Sequence, residues 1–417
     1  QRTAHRITSP WKWRHLKSVI VPSVQSPPSM LKLHDFCNRA DDTAYTPNGG
    51  IPELRRAIVD TVAERNGIRT DVERVWVTNG ATQGLYLAMS LVLDPGDEVL
   101  VPDPGYTTFT MNAHLLSAVP VPYPLRAENG FEPDLEELGR LVTDRTRLLI
   151  VNSPSNPLGA VFHRETLQAL LDFAREHDLW VISDEVYERF SYGSPHTSLA
   201  ALRASGSSGS DGDDERVLTV FSASKTYALT GARVGWLLTP SGFAPLLRSA
   251  QEAMISCVNT PAQRAVVAAL TGPQHHVDVA ATHYRDNLQA ATHLLAERGI
   301  RYLEPTGAFY LWVDVSHSTN GDVAAWAEHF LLTQKVAVAP GAAFGRQGEG
   351  WIRLCVAASR ADLLEGIRRL PAPSAPAPAA VLPEASAPRV ASPRAAVAPP
   401  EASGTSTDGS APEAGRP

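Results

Sequence analysis

The sequence around Lys225 suits an amine that reacts covalently with a bound ligand. The run FSASK at 221–225 ends an apolar stretch with two hydroxyls and this lysine, and Arg233 follows eight residues later. Hydroxyl groups and a guanidinium can hold a phosphate. A lysine beside a phosphate-bearing aldehyde can form a Schiff base with it. Taken alone, the run fits a loop lysine near a surface arginine equally well.

Two carboxylates follow a second apolar run, ISDEVY at 182–187. A pyridine ring withdraws electrons only while its nitrogen is protonated, and a buried carboxylate beside that nitrogen keeps the proton in place. Asp184 is the candidate for this carboxylate. Because side chains alternate along a strand, we expect Glu185 to face the opposite side and to be structural, while Tyr187 could donate to a phenolic oxygen. The alternative is a strand end with a solvated acidic pair.

Three further loops follow apolar runs. In NSPSNPLG at 152–159, Asn156 precedes a proline that biases it towards an extended backbone, and its amide could reach a phenolic oxygen. The small-residue loop TNGATQG at 78–84 opens a predicted helix and could present N–H groups to a phosphate. Tyr106, in DPGY at 103–106, could stack on a planar ring. Each is an ordinary turn by itself, but together they meet the needs of one cofactor.

The elements that must carry these loops alternate along the chain. Short apolar runs predict strands at 74–77, 98–101, 148–152, 179–183, 217–221 and 234–238, and amphipathic runs predict helices at 81–93 and 164–177. Continuously apolar strands that alternate with helices indicate an α/β fold with a mostly parallel sheet. Ligands in such folds bind beyond the carboxyl ends of the strands, where all five loops are expected.

Composition narrows the function classes. The net charge of −7 and the pI near 6.0 indicate no basic surface for nucleic acid. No apolar run is long enough to span a bilayer and no signal-like segment opens the chain, so we expect neither a membrane protein nor secretion. Three cysteines, an odd and sparse set, argue against a disulfide framework and indicate a cytoplasmic protein. No cysteine or histidine spacing resembles a metal site.

Together, these runs resemble the class I/II aminotransferases, which are fold-type I enzymes dependent on pyridoxal 5′-phosphate (PLP). The resemblance covers residues from about 20 to 370. It is also carried by YTPNGGIPELR at 45–55, SASKTYALTGARVGW at 222–236, PGAAFG at 340–345 and WIRL at 351–354. It implies a large PLP-binding domain with a mostly parallel sheet, a smaller α+β domain built from both chain ends, and a homodimer with shared sites.

The resemblance also implies residue roles. Lys225 would form the internal aldimine and move the proton between Cα and C4′, and Asp184 would hold the pyridinium. Arg353 would bind the substrate α-carboxylate in a bidentate fork, with Asn156 beside it. The other cofactor contacts would come from Gly80, Ala81, Thr82, Ser222, Ser224 and Arg233 at the phosphate, Asn156 and Tyr187 at the phenolic oxygen, Tyr106 on the ring, and Tyr45 at the phosphate of the neighbouring subunit.

The implied boundaries are 1–44 for an N-terminal arm, 45–271 for the large domain and 272–370 for the small domain. Residues 371–417, rich in proline and alanine without periodicity, predict a disordered tail. The run ASGSSGSDGDDE at 204–215 predicts a flexible surface loop. In the arm, Pro22 fits the proline of the family's Gly-x-Pro turn, but Ile20 occupies the glycine position. Either the substrate pocket is altered there, or the first residues are not a native family arm.

The predicted activity is transamination between an L-amino acid and a 2-oxo acid. The alternative is a carbon–sulfur lyase, although those enzymes tend to carry histidine where this chain has Tyr187 and to lack a run like TGARVG at 230–235. A ligand-binding regulator is disfavoured because residues 1–44 are too short for a DNA-binding module. The run MISCVNT at 254–260 has no arginine for a side-chain carboxylate, which favours a neutral or aromatic amino acid.

Overall fold

The computed structural model describes residues 44–193, 195–202, 216–374 and 380–381. The predicted N-terminal arm up to residue 43, with Ile20 and Pro22, lies outside the described residues. The predicted flexible loop at 204–215 and nearly all of the predicted tail lie outside them as well. Among the residues that are described, no helix is both long enough and apolar enough to cross a membrane.

The larger sheet is built from strands that are buried along most of their length, apart from the third, which is partly exposed. They are β1 Val75–Thr78, β2 Glu98–Asp103, β3 Val119–Pro124, β4 Thr146–Asn152, β5 Trp180–Asp184, β6 Val217–Ser222 and β7 Gly235–Leu238. Their order across the sheet is β1-β7-β6-β5-β4-β2-β3. The pairs from β3 through β6 are parallel, and β7 is antiparallel to both β1 and β6. Burial on both faces requires helices on both sides of the sheet.

The helices present an apolar stripe to the sheets. One example is α5, in which Leu167, Leu170, Leu171 and Ala174 recur at helical spacing and are buried. The helices are α1 Pro52–Asn66, α2 Gly80–Val92, α3 Thr108–Leu115, α4 Leu135–Leu141, α5 Arg164–Glu176, α6 Ala223–Thr226, α7 Ala244–Met254, α8 Thr260–Thr271, α9 His275–Glu297, α10 Ser316–Thr319, α11 Val323–Gln334 and α12 Arg360–Arg368.

A smaller sheet is formed by the C-terminal strands. They are β8 Tyr302–Leu303, β9 Tyr310–Asp314, β10 Ala339–Pro340, β11 Trp351–Cys355 and β12 Ala380–Val381, in the order β10-β11-β9-β8-β12. Trp312 of β9 stacks on Trp351 of β11 with 6.0 Å between ring centroids, and both rings meet Phe131 edge-on. These rings belong to a core shared with strands of the larger sheet. The shared core holds the two sheets together.

The predicted α/β architecture with a mainly parallel sheet is confirmed. Each predicted strand and helix lies within two residues of an observed one. Regular structure also occurs past residue 370, since β12 pairs in parallel with β8 inside the segment predicted to be a tail. The domain boundaries at 44/45, 271/272 and 370/371 stay predictions.

Candidate functional site

The five loops predicted to bind a cofactor meet at the carboxyl edge of the larger sheet. Strands β1, β2, β4, β5 and β6 run in the same direction, so their carboxyl ends lie along one edge. A cavity of about 340 Å³ opens at this edge. The predicted site residues that line it are Ala81, Thr82, Tyr106, Asn156, Asp184, Tyr187, Ser222, Ser224, Lys225, Arg233 and Arg353.

Lys225 enters the cavity from the short helix α6. The hydroxyl of Ser222, at the end of β6, accepts a hydrogen bond of 3.1 Å from the Ser224 N–H and so caps this helix. The Lys225 amine lies 6.0 Å from the centre of the Tyr187 ring and bonds no described residue. Loss of hydration lowers the pKa of Lys225, which increases the fraction of neutral, nucleophilic amine.

Asp184 ends β5 and is 3% exposed. Burial raises its pKa to about 7, and this rise is only partly opposed by the N–H of Val186, 3.3 Å away, and by the charge of Lys225. Within the described part of the chain, no arginine, lysine or histidine forms an ion pair with this carboxylate. A buried acid without a cation is costly, so the position suits a positively charged ring N–H supplied by a ligand.

Glu185 binds the segment that follows β5. Its carboxylate accepts hydrogen bonds from the hydroxyls of Ser183 at 2.8 Å and Ser198 at 2.9 Å and from the Leu199 N–H at 3.1 Å, and it contacts His196 Nε2 at 2.9 Å. Burial opposes charge on His196, but the hydrogen bond and charge of Glu185 outweigh it, so the pKa of His196 is raised. These contacts agree with a structural role for Glu185.

The N–H groups at the start of α2 lie close to Arg233, and with the hydroxyls of Ser222 and Ser224 they form a group of hydrogen-bond donors, the cradle. Gly80 has a φ of +77°, and a Cβ at this residue would lie 2.7 Å from Cζ of Arg233. A Cβ on Gly235 would lie 2.7 Å from the backbone nitrogen of Ala81. Arg233 has a positive φ of 54°, which is uncommon outside glycine, and donates to the carbonyl of Thr230 at 2.9 Å. This guanidinium, the helix N–H groups and the two serine hydroxyls suit a phosphate.

Arg353 reaches the cavity from β11 of the smaller sheet. Its Nη1 donates to Oδ1 of Asn156 at 2.7 Å. The guanidinium carbon lies 4.5 Å from the centre of the Tyr310 ring and 4.8 Å from that of Phe344. Its Nε is buried and bonds no described residue. An arginine held in this way, with an unused donor, suits a carboxylate.

These groups fit PLP on the chemistry of the donors present. The buried acid suits a protonated ring nitrogen, the unpaired lysine suits an aldehyde, and the cradle suits a phosphate. Because Oδ1 of Asn156 already accepts from Arg353, its amide N–H groups remain as donors for a phenolic oxygen.

Comparison with known proteins decides the family. Residues 28–370 match the family model described as aminotransferase class I and II. The chain belongs to this family. An aspartate aminotransferase of Pyrococcus horikoshii is 35% identical to this aminotransferase over 332 residues, which cover 79% of this chain and 82% of that protein. An arginine–pyruvate transaminase of Pseudomonas aeruginosa is also 35% identical, over 85% of this chain and 88% of that one.

A solved structure agrees with this assignment. The aromatic aminotransferase from Pyrococcus horikoshii OT3 matches the aminotransferase with a TM-score of 0.78 at 35% identity, over 84% of this chain and 92% of that chain. The proteins that this aminotransferase resembles therefore differ in the substrates that their names state.

Two predicted residues of the aminotransferase do not line the cavity. Gly80 lies behind it and leaves room for Arg233, and Tyr45 is 89% exposed on the surface. Sequence reasoning missed Asn152 and Tyr310, which do line it. Asn152 had a signal, because it opens the run that supplied Asn156 and its Oδ1 accepts from the Asn156 N–H at 2.9 Å. Tyr310 had none, since it opens an apolar strand without a polar motif.

Proposed function

We propose that this aminotransferase uses PLP to move an amino group from an L-amino acid to a 2-oxo acid, with Lys225 as the residue that bonds the cofactor. One observation carries the proposal. The same cavity contains a lysine amine without a described partner, a buried carboxylate without a cation and an arginine with an unused donor. Buried polar groups without partners are costly. All three gain partners when PLP and an amino acid bind.

Bound PLP supplies an aldehyde for the amine and a pyridine ring that withdraws electrons from the substrate Cα. Asp184 would hold the proton on the ring nitrogen. Tyr106 would contact the ring, and Asn156 and Tyr187 would donate to the phenolic oxygen. Ser222, Ser224, Arg233 and the N–H groups of Ala81 and Thr82 would hold the phosphate.

Lys225 also moves the proton. Its lowered pKa favours a neutral amine, which would accept the proton from the substrate Cα and return it at C4′ of the cofactor. Arg353 holds the substrate carboxylate during this transfer, so that the Cα–H bond stays within reach of the amine. Holding the Cα–H bond, rather than the bond from Cα to the carboxylate, towards the amine favours proton removal over decarboxylation.

The charges in the cavity favour a neutral or aromatic substrate. Among the described lining residues, the cations are Lys225, Arg233 and Arg353. Each already has a role, at the aldehyde, the phosphate and the α-carboxylate. None is left for a second carboxylate on the substrate side chain. An uncompensated charge there would be penalised, so aspartate is disfavoured.

Borohydride reduction of the PLP-loaded protein, followed by peptide mapping, tests the cofactor bond. The modification is expected on Lys225 and should be absent from Lys225→Ala. Lys335, which caps α11 on the surface, serves as an internal control because the same reagents reach it. Modification of Lys335 with none on Lys225 would contradict the assignment.

A spectral screen tests the reaction. Each common amino acid is mixed with the loaded enzyme while the visible band of the bound cofactor is followed. Loss of the band with a neutral or aromatic amino acid, and its return on addition of a 2-oxo acid, is the expected result. Release of pyruvate from a β-substituted amino acid without an acceptor, and no such return, would identify a carbon–sulfur lyase instead.

We also propose that the enzyme is a cytoplasmic homodimer. Cys257 and Cys355 are free thiols, as expected in a reducing compartment. Tyr45 lies on the surface, where its side chain is accessible to a second copy. Met111 and Leu115 of α3 are apolar side chains exposed on the surface, and they support the same arrangement.

A further inference from the structure

Tyr310 brings an aromatic hydroxyl from the smaller sheet into the cavity. It opens β9, is 6% exposed and lines the cavity together with Tyr187 and Arg353. Neither the cofactor contacts nor the substrate contacts proposed above include it. It nevertheless touches one residue from each group, through different atoms.

The hydroxyl of Tyr310 is paired with that of Tyr187. The two oxygens are 2.8 Å apart, and no other described residue bonds either one. Burial raises the pKa of both phenols, so both keep their protons at neutral pH. One proton must lie between the two oxygens. If Tyr187 directs its own proton at a ligand in the cavity, Tyr310 is the donor within the pair.

The ring of Tyr310 lies against the guanidinium of Arg353. The 4.5 Å between Cζ and the ring centre is well within the range of a cation–π contact. Phe344 makes a second such contact at 4.8 Å, and Asn156 accepts from Nη1 at 2.7 Å. These three contacts set the plane of the guanidinium, and its buried Nε stays without a described partner.

We propose that Tyr310 is a positioning residue that couples the cofactor and substrate parts of the site. Its hydroxyl makes Tyr187 the donor to the phenolic oxygen of PLP, and its ring orients Arg353 for the substrate carboxylate. The inference rests on the proposed function, because it takes PLP and an α-carboxylate as the ligands. A change at this one side chain alters both the cofactor's protonation and the affinity for carboxylates.

Two substitutions separate the two contacts. Tyr310→Phe keeps the ring against Arg353 and removes the hydroxyl, whereas Tyr310→Leu removes both. Tyr123→Phe is the matched control, because Tyr123 is also buried and its hydroxyl bonds the Ile150 carbonyl at 2.9 Å without lining the cavity.

The loaded form of each variant is titrated with pH while the visible band is followed, and the Kd of 3-phenylpropionate is measured from the same band. Tyr310→Phe should raise the pKa of the bound cofactor by about 0.5–1 unit, because a weaker donor at the phenolic oxygen lets the cofactor keep its proton to higher pH. Its Kd should stay within about twofold of wild type, whereas Tyr310→Leu should weaken binding by about 3- to 10-fold.

A Tyr187→Phe background completes the test. Adding Tyr310→Phe to it should leave the spectral pKa unchanged, since the hydroxyl has lost the group through which it acts. An unshifted spectral pKa in Tyr310→Phe, or equal Kd values in the Phe and Leu variants, overturns the inference alone. A wild-type protein that forms no visible band with PLP overturns the proposed function, and the inference with it.

Discussion

At the residue scale, the ionised form of Asp184 that the proposed function requires lowers the stability of the cofactor-free fold. Its pKa is raised by burial to about 7, whereas an aspartate in an unfolded chain has a pKa of about 3.9. An acid with a raised pKa binds its proton more tightly in the folded state. Its contribution to stability is therefore fully present below the unfolded pKa and is lost as the pH rises through about 7. The ionised form that a ring nitrogen requires is the form that the cofactor-free fold disfavours.

Asp184→Asn should therefore stabilise the cofactor-free protein most strongly at high pH. We expect the gain in the free energy of unfolding to be about 2–3 kcal/mol larger at pH 8.5 than at pH 5, because only the aspartate ionises over that interval. Urea denaturation at the two pH values measures the difference. Asp144→Asn, at an exposed position, is the control. An equal gain at both pH values would show that Asp184 does not titrate with a raised pKa.

The candidate site could be predicted from sequence only where its residues belong to local runs. Asp184 ends a strand, and Lys225 and Asn156 follow one within a few residues, each in a short polar segment, so one stretch of sequence contains both the position and the chemistry. Tyr310 does not belong to such a run, because its contact with Tyr187 joins β9 of the smaller sheet to the segment that follows β5 of the larger one. Such a contact depends on how the sheets pack, and no local periodicity encodes it.

At the element scale, Gly80 gives the start of α2 a backbone conformation that favours glycine and leaves space for Arg233. Gly80→Ala should destabilise the protein by about 1 kcal/mol through its positive φ. It should also weaken PLP binding by about tenfold or more, because the added Cβ displaces Arg233. Gly96→Ala is a matched control, since Gly96 has a φ of +94° and open space around its Cβ position. Titration with PLP and thermal unfolding measure both effects. Equal loss of PLP affinity in both variants would show that Arg233 does not bind the phosphate.

Strands were predictable where their burial is continuous. Strands β1, β4, β5 and β6 are apolar runs buried on both faces, and this pattern distinguishes them from their surroundings. The run VPVPYP of β3 was not predicted, because prolines remove ladder donors. The structure places this strand at the edge of the sheet, where proline is tolerated. Strands β8, β10 and β12 are only two residues long, too short for any periodicity.

At the scale of the whole molecule, the cavity draws on both sheets but leaves Tyr45 outside. Tyr310 and Arg353 come from the smaller sheet, while the lysine, the acid and the cradle come from the larger one. Tyr45 is 89% exposed, although its neighbours Gly49 and Gly50 are buried against β1. A tyrosine held on the surface by an anchored turn is well placed to enter the site of a second copy. The two-fold dimer proposed above requires such an exposed position.

Complementation tests that arrangement. Lys225→Ala removes the amine and Tyr45→Asp places a negative charge where a phosphate is expected, so each variant alone should be inactive. In a hybrid dimer, one site combines the intact Lys225 of one copy with the intact Tyr45 of the other. Random mixing makes about half of the dimers hybrid, so about a quarter of wild-type activity should return. A Tyr45→Phe homodimer should keep activity and bind PLP more weakly by about 0.5–3 kcal/mol, the range for one hydrogen bond to a charged group. No recovery in hybrids whose formation is verified by mass would mean that each site is built from a single chain.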